Sequence, residues 1–203
     1  MRIVHICLAC FYVEEMEYQE NILPKIHAQI GNEVYVLTSD FAFNSKGEYI
    51  KKKEDQYTNK YGVKVKILKR SRGLLARYGR FDGLYQELLR LKPDIIFVHG
   101  GTFTGLKDVT KYCKENSCKL YIDQHGDYYN SPVKSFKECL LRKGLYRHYI
   151  QQAVPYVARF WGVTPWRCIY LSDVFRVPRE KIDLLLMGGD DEKIHFDQMP
   201  LLR

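Results

Sequence analysis

The sequence predicts an α/β protein with a Rossmann-like, doubly wound, mostly parallel sheet of about seven strands and helices on both faces. Three observations carry this. Short apolar runs rich in Val and Ile recur along the chain: RIVHICL, EVYVLT, VKVKIL, IIFVH, KLYIDQ, YVARFWGV and IDLLLM. Segments of helical periodicity, most of them ten residues or longer, separate most of these runs, the pattern of parallel βαβ units. With 203 residues and 46% hydrophobic content, the chain is long enough to bury a substantial core.

The elements follow in order. Arg2 to Leu8 is the first strand. Glu17 to Ile30 carries Ile22, Ile26 and Ile30 on one helical face and stops at Gly31, with Pro24 requiring a late start or a bend. Glu33 to Thr38 is the second strand, and the polar, lysine-rich stretch from Phe41 to Lys60 is a surface loop or hairpin. Val63 to Leu68 alternates Val and Lys, which suits a third strand near an edge. Arg80 to Leu91 is an amphipathic helix that ends before Pro93, and Asp94 opens the strand IIFVH. Next come a helix from Thr104 to Asn116, a strand from Lys119 to Gln124 and a long helix from Pro132 to Gln152. A strand from Tyr156 to Val163, a helix from Trp166 to Phe175 and a strand from Ile182 to Met187 complete the pattern. Residues 1–190 read as one domain without repeats or internal linker, and residues 191–203 as the start of a connection.

No apolar run approaches the roughly 20 residues of a membrane helix, and the run after Arg2 lacks a signal peptide's cleavage pattern. A cytoplasmic location is expected, with the six cysteines (7, 10, 113, 118, 139 and 168) as reduced thiols. Cys7-x-x-Cys10 has no second pair at zinc-finger spacing, and an offset of three along a strand points the two sulfurs to opposite faces. Core packing is the expected role, and no metal is assigned. The formal charge of +8 suggests an anionic partner. From Val63 to Arg80 there are seven cations and no acid, among them Lys69, Arg70, Arg72, Arg77 and Arg80, with Leu74 and Leu75 as a small apolar anchor. A second basic group spans Pro132 to His148. No RNP-like or helix-turn-helix pattern organises the aromatics, so nucleic acid is not expected.

In an open parallel sheet, ligands bind beyond the carboxyl ends of the strands. Three loops there are unusual. The first runs from Ala9 through Cys10, Phe11 and Tyr12 to the acidic stretch before Tyr18. The second is His99-Gly100-Gly101-Thr102, an imidazole, two glycines permitting close backbone approach, and a hydroxyl positioned to cap the next helix. The third, Asp123-Gln124-His125-Gly126-Asp127, ends the strand KLYI. A ring flanked by two aspartates at a strand's mouth is costly to bury without purpose, so His125 is the leading functional candidate. His99 is equally readable as a buried ring satisfied by a backbone carbonyl. A period of two would bring Asp123, His125 and Asp127 together for a divalent metal, but Gly126 interrupts it. The dinucleotide G-x-G-x-x-G and the Walker GxxxxGK[ST] are absent, which argues against NAD enzymes and P-loop NTPases.

In this setting MRIVHICLACFY, EYQENILPKIHAQIGNEVYVLTSD, LKPDIIFVHGG, YIDQHGDYY and TPWRCIYLSDVFRVPREKIDLLLMGGDDEKI, in order and spacing, resemble the N-terminal, acceptor-binding lobe of the family 4 glycosyltransferases of the GT-B fold. Two departures stand out. The Gly-Gly many members carry after the first strand is replaced near Met16 to Tyr18, and Met187 stands where Asn precedes the Gly188-Gly189-Asp190 shape.

The resemblance implies the lobe of an enzyme that moves a sugar from a nucleotide sugar to a glycan or lipid-linked acceptor in cell-surface polysaccharide or glycolipid synthesis. It further implies retention of anomeric configuration and no cofactor. The donor would be held mainly by a C-terminal domain beyond this chain, without which the lobe is expected to be inactive. His125 matches the histidine beside the transferred sugar, and His99 and Gly100 match the neighbouring strand end that lines the cleft; Gly101, Thr102, Gly126 and Asp127, in the same loops, are the further substrate-binding candidates. Cys10, Phe11, Tyr12 and Tyr18 would face the acceptor. Lys69, Arg70, Arg72, Arg77 and Arg80 would meet an anionic acceptor or the inner face of the cell membrane, to which the protein would be peripheral. The alternative is a non-catalytic Rossmann-like module binding an anionic glycan or lipid.

Overall fold

The computed structural model describes residues 1–13, 16, 18–43, 48–52, 55–74 and 76–186. The expected connection at 191–203, the motif at Gly188 to Asp190, and Leu75 lie outside the described residues.

The chain runs β1 (Arg2–Cys7), α1 (Gln19–Gln29), β2 (Glu33–Ser39), β3 (Phe41–Phe43), β4 (Tyr49–Lys51), β5 (Gln56–Thr58), β6 (Lys64–Leu68), α2 (Leu84–Leu91), β7 (Ile95–His99), α3 (Leu106–Glu115) and β8 (Lys119–Gln124). It continues with α4 (Phe136–Cys139), a π-helical stretch (Leu140–Tyr146), α5 (Arg147–Ala153), β9 (Val157–Gly162), α6 (Pro165–Phe175) and β10 (Ile182–Leu184). Eight strands form one sheet in the order β10-β9-β8-β7-β1-β2-β6-β5. All of its pairings are parallel except β5 with β6. The seven expected strands are all present. The eighth, β5, comes from the lysine-rich stretch, which also folds into the antiparallel hairpin β3–β4.

Period two along each strand sorts the side chains. Val4 and Ile6 of β1, Ile96 and Val98 of β7, and Leu120 and Ile122 of β8 join one large core with Leu84, Leu88 and Leu91 of α2, Leu106 and Val109 of α3, and Tyr170 and Phe175 of α6. The other face packs Cys7, Val34, Val36, Val63 and Val65 with Tyr12 in a smaller cluster, on the side against which α1 lies. Pro24 is inside α1 and buried, and the helix is uninterrupted.

The sheet winds outward from β1 in both directions: β2 and β6 on one side, then β7 to β10 on the other. Between β1 and β7 the strand order reverses. At this switch point the flanking connections diverge and leave a crevice at the strands' carboxyl ends.

Candidate functional site

The polar residues of the strand ends lie on the α1 face. His5 of β1, His99 of β7 and Asp123 of β8 share the parity of Phe97 and Tyr121, opposite to the residues of the large core. Register does the rest: His5 lies level with Phe97, and His99 with Asp123. All three are fully buried.

They form a continuous hydrogen-bonded chain. His99 Nδ1 is 2.9 Å from Asp123 Oδ2, His99 Nε2 is 3.0 Å from His5 Nδ1, and His5 Nε2 is 3.0 Å from Nδ1 of His27, a half-buried residue of α1. The Gly100 N–H donates to Asp123 Oδ1 over 2.9 Å. His125, just past β8 and half-buried, brings Nε2 to 3.1 Å from the same oxygen, without the alignment of a hydrogen bond. Asp123 thus sits between two imidazoles and a backbone N–H.

Burial favours the neutral acid, yet His99 and His125 hold the Asp123 carboxyl well below the usual range. Burial likewise opposes charge on His99, but Asp123, reinforced by Cys7 and Glu20, raises that ring to about 9. Burial also works against charge on His125, and the contact with Asp123 overcomes it, so its pKa is raised. His5 moves the other way: burial and its two imidazole neighbours push it well below 6.5. His27 is lowered too, by burial and by His99.

His99, Asp123 and His125 bring one donor atom each within 4.8 Å of one another. A metal would have to displace existing bonds, because both nitrogens of His99 and both oxygens of Asp123 are engaged.

The remaining sequence-derived candidates divide. Gly100 adopts φ +81°, and a Cβ there would come within 3.2 Å of Ala9 Cβ, so this glycine is conformationally required. Gly101 packs on Ile122 and Ile150, its close approach being to the core. Thr102 does not cap α3, whose N-cap is Gly105 without a side-chain bond. A Cβ on Gly126 would crowd Gln124 Nε2 (2.7 Å) and Ser131 Oγ (2.9 Å), so this glycine lets the loop fold back. Asp127 closes that turn, its Oδ1 accepting from the Tyr129 and Asn130 N–H groups. Its other oxygen faces Arg167 at 3.4 Å.

In the first loop, Tyr12 is 1% exposed and its carbonyl accepts from Lys52 Nζ, so it is a core residue rather than a surface one. Phe11 packs edge-on against Phe43 and near Tyr49, pinning the hairpin. Tyr18 is exposed at the head of α1. Because β1 ends at Cys7, the chain turns back and Cys10 shares a hydrogen bond with Cys7, which together with burial pushes its thiol well up. The expectation that the two sulfurs point apart fails for this reason.

Among the basic residues, Lys69, Arg72 and Arg77 are exposed. Arg70 lies over the rings of Phe41 and Phe81 and Arg80 pairs with Asp108, so these two serve the fold's interior contacts.

Sequence reasoning passed over His5 and His27, and it weighed Asp123 only as a ligand in the interrupted metal pattern. A histidine inside the apolar run IVHIC was the available signal for His5; nothing local marked His27. The first turn of α1 adds Glu20, buried, whose charge reaches His99 and His125, and Gln19, whose buried Oε1 has no partner among the described residues. Beside the rim, a cleft of about 370 Å³ is lined by Asp127, Tyr128, Tyr129, Thr164 and Trp166.

Solved structures share this architecture. Sucrose-phosphate synthase from Thermosynechococcus elongatus matches 94% of this chain with a TM-score of 0.62 and 11% identity, over 49% of its own length. Anabaena HepE in complex with UDP-glucose matches 95% of the chain with a TM-score of 0.56 and 11% identity, over 45% of its length. The chain has the fold of one GT-B lobe. A shorter chain of the same synthase is covered to 94% by 97% of this one, at a TM-score of 0.57 and 9% identity. The lobe thus spans about half the length of the larger proteins. No protein-family model matches the sequence, and no curated protein matches it.

Proposed function

We propose that this GT-B lobe serves a glycosyltransferase of the family 4 type, holding the acceptor while a sugar is transferred from a nucleotide sugar. One observation supports this most: His125 follows the carboxyl end of β8 in a GT-B lobe, half-buried, with Nε2 3.1 Å from the buried Asp123 carboxylate. With Asp123 ionised, Nε2 keeps its proton, and the raised pKa favours the imidazolium, whose Nδ1–H donates to an oxygen of the transferred sugar. A fixed donor in a partly desolvated site stabilises charge developing in the transition state. Asp123 is enclosed by its three partners, so it charges and orients His125 and does not attack the sugar. Retention, with the donor phosphate taking the acceptor proton, fits that division of labour.

The UDP-glucose bound by HepE makes a uridine diphosphate sugar the first donor to try. Tyr128, Tyr129 and Trp166 offer aromatic faces to a sugar ring next to His125. A glycan or polyprenyl-linked acceptor fits the exposed Lys69, Arg72 and Arg77 around Leu74, a surface suited to the inner face of a cell membrane. No helix among the described residues is long and apolar enough to cross one.

The test is sugar transfer, from a panel of nucleotide sugars to glycan and polyprenyl diphosphate acceptors, by the protein expressed from its complete gene. His125→Ala should lower transfer about a hundredfold or more with an unchanged urea unfolding curve. Transfer at the wild-type rate would remove His125 from the mechanism. Binding of an anionic glycan by wild type with no transfer from any donor would favour the non-catalytic module.

A further inference from the structure

We propose that His27, His5 and His99 form a proton wire that links solvent at α1 to the buried Asp123 and so sets the charge beside His125. The bonds already described dictate how it works. Asp123 is ionised and accepts from His99 Nδ1–H, so that proton is fixed. Three arrangements of the remaining protons satisfy both imidazole–imidazole contacts without stripping His5 of its last proton; the one that places two protons on His5 is opposed by burial and by both neighbouring rings, which leaves two. In the first, His5 Nδ1–H donates to His99 Nε2 and His27 Nδ1–H donates to His5 Nε2, leaving all three rings neutral. In the second, His99 carries both protons and donates through Nε2 to His5 Nδ1, while His5 Nε2–H donates to His27 Nδ1.

One proton converts the first into the second. It binds Nε2 of His27; that ring passes its Nδ1 proton to His5 Nε2, and His5 passes its Nδ1 proton to His99 Nε2. No atom other than hydrogen moves, each ring ends with a full set of bonds, and the single added charge rests on His99 next to Asp123. Release in the opposite direction regenerates the neutral chain.

Burial makes this the favoured route. His5, His99 and Asp123 are fully buried, whereas His27 at the end of the hydrogen-bonded chain is partly exposed. The other approach, from His125 through Asp123, would require a protonated Asp123, which the two histidines and the Gly100 N–H all oppose. The groups facing the wire agree on where the charge settles. Asp123 of β8, Glu20 of α1 and Cys7 of β1 favour a cation at His99, while burial, His99 and His27 disfavour one on His5 and burial and His99 disfavour one on His27. His125, across Asp123, is the group that reads the result, since a charged His99 lowers it and a neutral one does not. The wire stands or falls independently of whether a sugar is transferred.

Nitrogen NMR of the ¹⁵N-histidine-labelled 203-residue chain tests it. At neutral pH the expected pattern is His99 protonated on both nitrogens, with His5 and His27 both as Nε2–H tautomers. Raising the pH until His99 loses its charge should switch both rings to Nδ1–H together. His27→Gln, which still accepts from His5 but cannot pass a proton on, should slow water exchange of the His99 Nε2 proton at least tenfold. His5→Phe, which keeps a ring over Phe97, interrupts the chain at its centre and should slow His99 proton exchange to a similar extent. His5 found as Nδ1–H at neutral pH, or wild-type exchange rates in a folded variant of either kind, would overturn the wire.

Discussion

At the scale of single residues, the charge state of a few buried groups governs how stability depends on pH. His99 has a folded pKa of about 9 against roughly 6.5 unfolded, so the stability it contributes is complete below about pH 6.5 and is lost as pH rises toward 9. His5 and His27 have folded values below 6.5, so they favour the unfolded chain as pH falls beneath that value. The melting temperature should therefore peak near pH 6.5 and decline on both sides, read by calorimetry between pH 5 and 9. Asp123→Asn preserves an acceptor for the Gly100 N–H but leaves His99 without its counter-charge. It should cost about 3 kcal/mol in urea unfolding at pH 7 and flatten the alkaline decline; an unchanged alkaline slope would contradict the assignment of charge to His99. Of these residues, His125 is legible from its place between two aspartates at the end of an apolar strand. His5 and His27 are not, because a histidine's burial and partner are fixed by neighbours 94 and 22 positions away.

At the scale of elements, close packing decides what a substitution costs. Gly162 ends β9 where the first turn of α6 crosses it, and a Cβ there would meet the backbone N and the Sγ of Cys168. Gly162→Ala should destabilise by about 3 kcal/mol or more. Gly31→Ala, at φ +86° with open space around it, should lose only about 1 kcal/mol, from backbone conformation alone. Equal losses in denaturant unfolding would mean that the α6 turn moves aside. Helix starts were the least legible feature. Arg80 to Asp82 carry helical periodicity, yet Phe81 bridges to Arg70 and the Asp82 N–H bonds to the Lys69 carbonyl, so α2 begins only after Gly83. The helix expected from Pro132 starts instead behind Ser135, whose side chain and that of Glu138 form a capping box. Ser135→Ala should cost about 1 kcal/mol, measurable as a shift in the urea midpoint. No residue of the π-helical stretch that follows announces it.

At the scale of the whole molecule, the surface charge is a patch rather than a run. Of five basic residues read together from the sequence, three are exposed and two are turned to aromatic and acidic neighbours. Reversing Lys69, Arg72 and Arg77 to Glu should weaken binding to vesicles containing anionic lipid by at least a hundredfold at low salt, at about 1 kcal/mol per charge removed, with the effect fading as salt is raised. Vesicle binding that ignores the reversal would place any membrane contact elsewhere. The fold class was available from the sequence because apolar runs and intervening helices are local patterns, and a parallel sheet covered on its faces is the arrangement that buries them. The linear order also carried the loops that reach the carboxyl ends of the strands. What only the tertiary structure decided is which side chains meet there. Strand order sets β1 beside β7, register sets His99 level with Asp123, and α1 lays His27 against His5. Each is a long-range pairing that no local pattern encodes, and together they turn three separate histidines and one aspartate into a single titrating unit.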